Sequence, residues 1–189
     1  MKKKALLLSV AAALTLALSA CGNDQAGRTS TNAHESMSDA EMGAMNHEGS
    51  GEVPAGLKPA GHPAFKAGDK ATLLADHMPG MKGAEATIAG AYETTAYAVS
   101  YTPATGGAPV TGHKWVVQEE IKDAGDKPYE PGDEVVLEAD HMKGMKGAKA
   151  RIDSAEQTTV YTVDYDPTTG GARVTDHEWV TESELEALK

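Results

Sequence analysis

The residues most suited to chemistry stand in a short stretch that occurs twice. Asp76-His77-Met78-Pro79-Gly80-Met81-Lys82-Gly83-Ala84 returns 64 positions later as Asp140-His141-Met142-Lys143-Gly144-Met145-Lys146-Gly147-Ala148, changed only at Pro79/Lys143. Each copy places one imidazole and two thioethers within five residues, with glycines that bend the chain. Thioether and imidazole donors suit copper, Cu(I) above all, and suit magnesium or calcium poorly. A plainer reading sets beside this a turn kept for its geometry, with Met filling gaps and His hydrogen-bonding.

Two further groups carry the same donor types. His113 precedes Trp115 by two residues, and His177 precedes Trp179 in the same way. On a regular strand residues i and i+2 share a face, so each His is expected beside its Trp. An indole face can attract and shield a cation. The bland alternative is a core Trp with a rim His. One His, two Met and a Trp resemble the ligand chemistry of the small periplasmic copper chaperone CusF, although the order along the chain differs. The third group is His34, Met37, Met42, Met45 and His47, five donors within fourteen residues of an otherwise polar stretch. Exposed methionines there have no packing role. Asp76 and Asp140 are candidates to orient the neighbouring imidazoles, or simply to begin the turn. His62, before Pro63, reads as a surface histidine or one more ligand.

The elements that carry these groups follow from the rest of the chain. Lys2-Lys3-Lys4 and the apolar run Ala5 to Ala20 read as a secretory signal. Leu18-Ser19-Ala20-Cys21 resembles the bacterial lipobox, whose cysteine is acylated; Cys21 is the only cysteine in the chain. No disulfide within the chain is then possible, and no thiolate remains for zinc or nucleophilic catalysis. The formal charge is -11, and removal of the signal takes away three lysines and leaves the mature chain more acidic still. That balance disfavours nucleic acid and favours cations. The expected location is the outer face of a bacterial membrane, held by the lipid anchor.

Residues 21–58 read as a flexible tether, rich in Gly, Ser, Asn and acidic residues. From Ala67 to Ile121 and from Pro131 to Leu185 the chain repeats itself without a gap. With one Phe and two Trp in 189 residues, small β-domains fit better than one large core. In the second repeat Glu134–Ala139, Ala148–Ile152, Thr158–Tyr165 and Arg173–Thr181 read as strands, with Asp166–Gly171 a hairpin turn and Glu182–Glu186 a helical turn. Tyr161, Val163 and Tyr165 should share the buried face. The order of elements resembles SH3-like barrels of the KOW type. The expected fold is therefore all-β, with two tandem small barrels at 59–124 and 125–189.

The lipobox, the Met/His-bearing tether and the two copies of Asp-His-Met-x-Gly-Met-Lys-Gly-Ala, each followed by His-x-Trp-Val, resemble the YdhK-like family of bacterial surface lipoproteins. That family includes the copper-tolerance lipoprotein CopL. The resemblance implies a Gram-positive-type surface protein that binds copper outside the cell. The residues so implicated are His77, Met78, Met81, His141, Met142, Met145, His113, His177, His34, Met37, Met42, Met45 and His47, with Trp115 and Trp179 nearby. The expected function is sequestration of copper, as Cu(I) foremost and as Cu(II) at His34 and His47, or its delivery to an exporter. The alternative is a module that binds the cell wall or an envelope protein. No nucleophile–base pair or phosphate-cradling loop is visible, so no enzyme is expected.

Overall fold

The computed structural model describes residues 51–188. The expected signal, the expected acylation site Cys21 and the expected tether ligands His34, Met37, Met42, Met45 and His47 lie outside the described residues.

Eight strands form one antiparallel sheet: β1 (Lys58–Pro59), β2 (Lys70–Leu73), β3 (Glu85–Tyr101), β4 (Val110–Val117), β5 (Glu134–Val136), β6 (Lys149–Tyr165), β7 (Val174–Thr181) and β8 (Leu185–Ala187). One-turn 3-10 helices, Gln118–Glu120 and Glu182–Glu184, follow β4 and β7. The main path runs β5-β6-β3-β2-β8, with β1 and β4 also paired to β3 and β7 to β6. The all-β expectation holds. The sheet is not closed on itself, so the SH3-like barrel gives way to an open, shared sheet.

The reason lies in β3 and β6, each 17 residues long. In sequence Ala148–Ile152 and Thr158–Tyr165 read as two strands, with the polar run Asp153-Ser154-Ala155-Glu156-Gln157 between them. Instead this run stays extended, pairing Ser154 with Ala98, Ala155 with Tyr97 and Glu156 with Ala96. Backbone groups are thereby paired along most of both strands, with bulges at Ala89 and Asp153. The pairing has a self-complementary centre: Thr94 faces Thr158, its own counterpart in the other repeat. An isologous contact of this kind is what two copies of one surface make across a two-fold axis.

A strand of this length passes through more than one core. One core joins Tyr97, Val99, Tyr101, Val116 and Ile121 of the first repeat to Val135, Leu137, Met145, Ala150 and Ile152 of the second. The other joins Ala71, Leu73, Met81, Ala86 and Ile88 to Tyr161, Val163, Tyr165, Val180 and Leu185. Tyr161, Val163 and Tyr165 are buried together as their alternation predicts. A third cluster, with Trp115 and Trp179, lies between the repeats. The boundary expected at 124/125 therefore separates repeats of sequence but not units of packing. Each core takes the opening strands of one repeat and the closing strands of the other.

Candidate metal centre

The two His-Met loops are tight and pinned. Gly80 and Gly144 take φ of +79° and +80°, a conformation that glycine adopts without strain. A Cβ at Gly80 would meet Thr169 Oγ1 at 2.4 Å, and one at Gly144 would meet Thr105 Oγ1 at 2.4 Å. The N–H of Thr168 donates to the Gly80 carbonyl and that of Ala104 to the Gly144 carbonyl. Each loop is thus clamped by the hairpin turn of the other repeat.

This clamp aims adjacent residues differently. His77 and His141 line one cavity of about 600 Å³, together with His113, His177, Met78 and Met142. All four repeat histidines therefore reach the same space. His113 and His141 have ring centroids 6.0 Å apart, and His77 and His177 are 6.5 Å apart. Met78 and Met142 accept weak hydrogen bonds from the hydroxyls of Tyr165 and Tyr101, at 3.8 and 3.7 Å.

Met81 and Met145 go elsewhere. Both are fully buried, each in its own core, and neither lines the cavity. This corrects the expectation of two thioethers per loop facing one metal: the sixth residue of each motif packs in a core, and the second and third face the cavity. The expected His/Trp pairs are also divided. Between Val99↔His113 and Tyr97↔Val116 the register slips, so two steps on β3 face three on β4. An extra residue of this kind breaks the i, i+2 alternation. His113 consequently lies beside His141, whereas Trp115 lies edge-on to His77 at 6.4 Å. The Lys114–Trp115 and Glu178–Trp179 peptide bonds are both cis.

The sequence reading missed the carboxylates. His77 Nε2 donates to Glu184 Oε1 at 2.7 Å, and His141 Nε2 donates to Glu120 Oε1 at 2.6 Å. The 3-10 turns, not Asp76 and Asp140, supply the acceptors. Each glutamate is itself held from two more sides. Glu184 Oε2 accepts from Trp115 Nε1 at 2.8 Å and from the Thr181 N–H at 3.0 Å. Glu120 Oε2 accepts from Trp179 Nε1 at 3.1 Å and from the Val117 N–H at 2.9 Å. The indoles thus contribute their N–H groups rather than a ring face. A signal was present: Glu120 and Glu184 recur at the repeat interval, just after the His-x-Trp-Val motif.

One pocket holds a third ligand-type group. Glu178 Oε2 lies 3.7 Å from His141 Nε2, and the ligand atoms of Glu120, His141 and Glu178 all fall within 4.8 Å of one another. The side chains of these residues are 7 %, 8 % and 5 % exposed. Glu178 Oε1 and His141 Nδ1 are buried without a hydrogen-bond partner, as is His77 Nδ1. Buried polar atoms are ordinarily satisfied, so unpartnered ones beside a carboxylate–imidazole cluster fit a cation site.

The electrostatics agree. Burial pushes the Glu178 carboxyl up to about 7, with Glu120 and Asp176 adding to the rise and His141 opposing it. Burial pulls the His141 imidazole down, but Glu120, Glu178 and Asp140 together hold it above the ordinary histidine value. In the other pocket burial raises Glu184, yet hydrogen bonds and charge from His77, with the Thr181 and Trp115 N–H groups, hold it down at about 2.

Comparison with known proteins matches this architecture. The family model described as "Protein of unknown function (DUF1541)" fits residues 67–118 and again 131–182. The uncharacterized protein YdhK of Bacillus subtilis (strain 168) is 58 % identical over 175 residues, 92 % of this chain and 84 % of that protein. A crystal structure of a DUF1541 family protein (ydhK) from Bacillus subtilis at 2.00 Å is similar with a TM-score of 0.74 and 62 % identity, covering 76 % of this chain and 97 % of that one. A solution NMR structure of the ydhK C-terminal domain is similar with a TM-score of 0.62 and 66 % identity, covering 65 % of this chain and 93 % of that one. With its two motif copies, its tandem matches and this likeness to YdhK, the chain belongs to the DUF1541 family.

Proposed function

We propose that this protein is a lipid-anchored, extracytoplasmic copper-binding protein that holds copper in the cavity shared by its two repeats. The observation that carries the reading is the convergence of Glu120, His141 and Glu178, with ligand atoms within 4.8 Å, beside three further histidines. Imidazole with carboxylate suits borderline divalent ions, and among first-row divalents a given site of this kind binds Cu(II) most tightly. The preferred oxidation state in the cavity is therefore Cu(II). Cu(I) is assigned to the thioethers that line the cavity, Met78 and Met142, and to Met37, Met42 and Met45 of the tether sequence.

Each residue has a part in taking up the ion. His141 Nε2 hydrogen-bonds to Glu120 Oε1, so an ion taken at Nε2 requires the neutral ring with its proton on Nδ1, and an imidazolium would release one proton on binding. Trp179 and the Val117 N–H fix the Glu120 carboxylate before the ion arrives. Glu178 adds a second negative charge where burial has removed water. The role of the whole is sequestration at the membrane surface, which lowers copper uptake or supplies an exporter. The rival reading, a wall-binding module, rested on closed barrels, and the open sheet gives it no such support.

Titration of the mature chain with Cu(II), followed by calorimetry, tests the proposal. His141→Ala and Glu178→Gln should each remove one tightly bound ion while the tether donors stay intact. Unchanged binding in both variants would sink the cavity as a metal site.

A further inference from the structure

The side chains that frame the two pockets recur at an interval of 64 (His77/His141, His113/His177, Trp115/Trp179 and Glu120/Glu184), but the residue before each Trp does not. Lys114 stands where Glu178 stands. The two side chains take corresponding places: Lys114 Nζ lies 4.0 Å from Glu184 Oε1, and Glu178 Oε2 lies 3.7 Å from His141 Nε2. One pocket therefore combines an ammonium with Glu184 and His77. The other combines a second carboxylate with Glu120 and His141. The Lys114 pocket thus sets an ammonium beside its carboxylate, whereas the Glu178 pocket sets a second carboxyl group beside Glu120 and has no lysine or arginine among its ligand-type groups. Lys114 also lies over the Trp115 ring, 4.8 Å from its centroid, so its half-exposed side chain keeps the ammonium at the rim of the pocket.

We propose that the folded repeats take one divalent cation, at Glu120, His141 and Glu178, and that the Lys114 ammonium fills the cation's place in the twin pocket and keeps an ion out of it. This rests on the reading of the cavity as a metal site and adds to it a count and a cause. A divalent ion entering the twin pocket would meet a like charge held near its carboxylate and would find one anionic ligand instead of two. Exchange of a single side chain should therefore create a site, and the reverse exchange should erase one.

The experiment uses the full mature chain titrated with Cu(II), in wild type and in Glu178→Gln, Glu184→Gln, Lys114→Glu and Lys114→Gln. Ions are counted by calorimetry against a competing chelator, and folding is checked by near-ultraviolet circular dichroism. Tether donors are common to all variants and cancel in the differences. Glu178→Gln should lose one ion or weaken it at least about tenfold, the loss that even an outer orienting partner brings. Glu184→Gln should lose none, and Lys114→Glu should gain one. Should Lys114→Glu not fold, Lys114→Gln removes the ammonium without adding a charge and should admit a second, weaker ion. Loss of one ion from Glu178→Gln and another from Glu184→Gln would mean two equal sites and overturn the inequality while leaving the metal cavity standing. A folded Lys114→Glu that gains no ion, or a Lys114→Gln that gains none when Lys114→Glu is unfolded, would overturn the role of Lys114. If Glu178→Gln and His141→Ala both bind as wild type does, the metal reading itself falls, and this proposal with it.

Discussion

The two pockets repeat the same set of hydrogen bonds from indole, backbone N–H and imidazole to a turn glutamate, and differ in their charge balance. In the Lys114 pocket Glu184 is surrounded by donors, and its carboxyl is held down at about 2. In the Glu178 pocket two carboxylates crowd one imidazole, and Glu178 is pushed up to about 7. The contrast shows that the indole, turn glutamate and loop histidine build the frame, while position 114/178 decides whether the frame is complete in itself. One pocket has an ammonium beside its glutamate, and its twin has a second carboxyl group in that position.

The largest test of this comparison removes the shared scaffold. Residues 59–124 alone carry the opening strands of one core and the closing strands of the other. As a monomer this piece should show no cooperative unfolding in urea; sedimentation should find it unfolded or paired with a second copy. A cooperative monomer would break the claim that the repeats complete each other. Next in size are the core methionines. Met81→Ala and Met145→Ala should each cost about 2–5 kcal/mol in denaturant melts, because both side chains are fully buried. Closely matched values would sharpen the equivalence of the two cores, and a wide gap would break it.

The pockets should then part company with pH in metal-free protein. Glu184 is depressed when folded, so its contribution is present above the ordinary carboxylate value of about 4.3 and fades as pH falls toward about 2. Glu184→Gln should destabilise at pH 6 by on the order of 2 kcal/mol and much less near pH 2. Glu178 is raised, so the folded state holds its proton longer and loses stability as pH climbs from about 4.3 to about 7. Glu178→Gln should therefore stabilise the metal-free chain above pH 7 and do little near pH 4, read as melting temperature against pH. The smallest effect belongs to Tyr101→Phe and Tyr165→Phe. Each removes a long O–H to sulfur contact and should cost below about 1 kcal/mol.

Much of this was legible in the sequence, and what was hidden has a physical cause. The repeat, the β-character and the burial of Tyr161, Val163 and Tyr165 follow from spacing and alternation. The loop histidines and His113 and His177 were recognisable as a set, and they do meet. Alternation could not show that Asp153 to Gln157 stays extended, because a polar run in a strand and a polar turn look alike until a partner strand is known. From that one ambiguity came the expectation of two short strands where β6 is continuous. The splitting of His113 from Trp115 has a similar origin, since a bulge leaves no signature in residue type. Glu120 and Glu184 were overlooked because a short helical turn after a strand reads as a cap. Met81 and Met145 look like Met78 and Met142 in composition, and only the turn between them decides which pair reaches the cavity.

The pairing of Thr94 with Thr158 has a consequence for what such a molecule can become. Two separate copies of a single repeat, joined about the same axis, would carry identical side chains on both sides of the axis. Any change favouring one pocket would be imposed on the other. Covalent linkage of the copies lifts that obligation: Lys and Glu can occupy mirrored places in one polypeptide. Fusion, in this molecule, is what permits asymmetry.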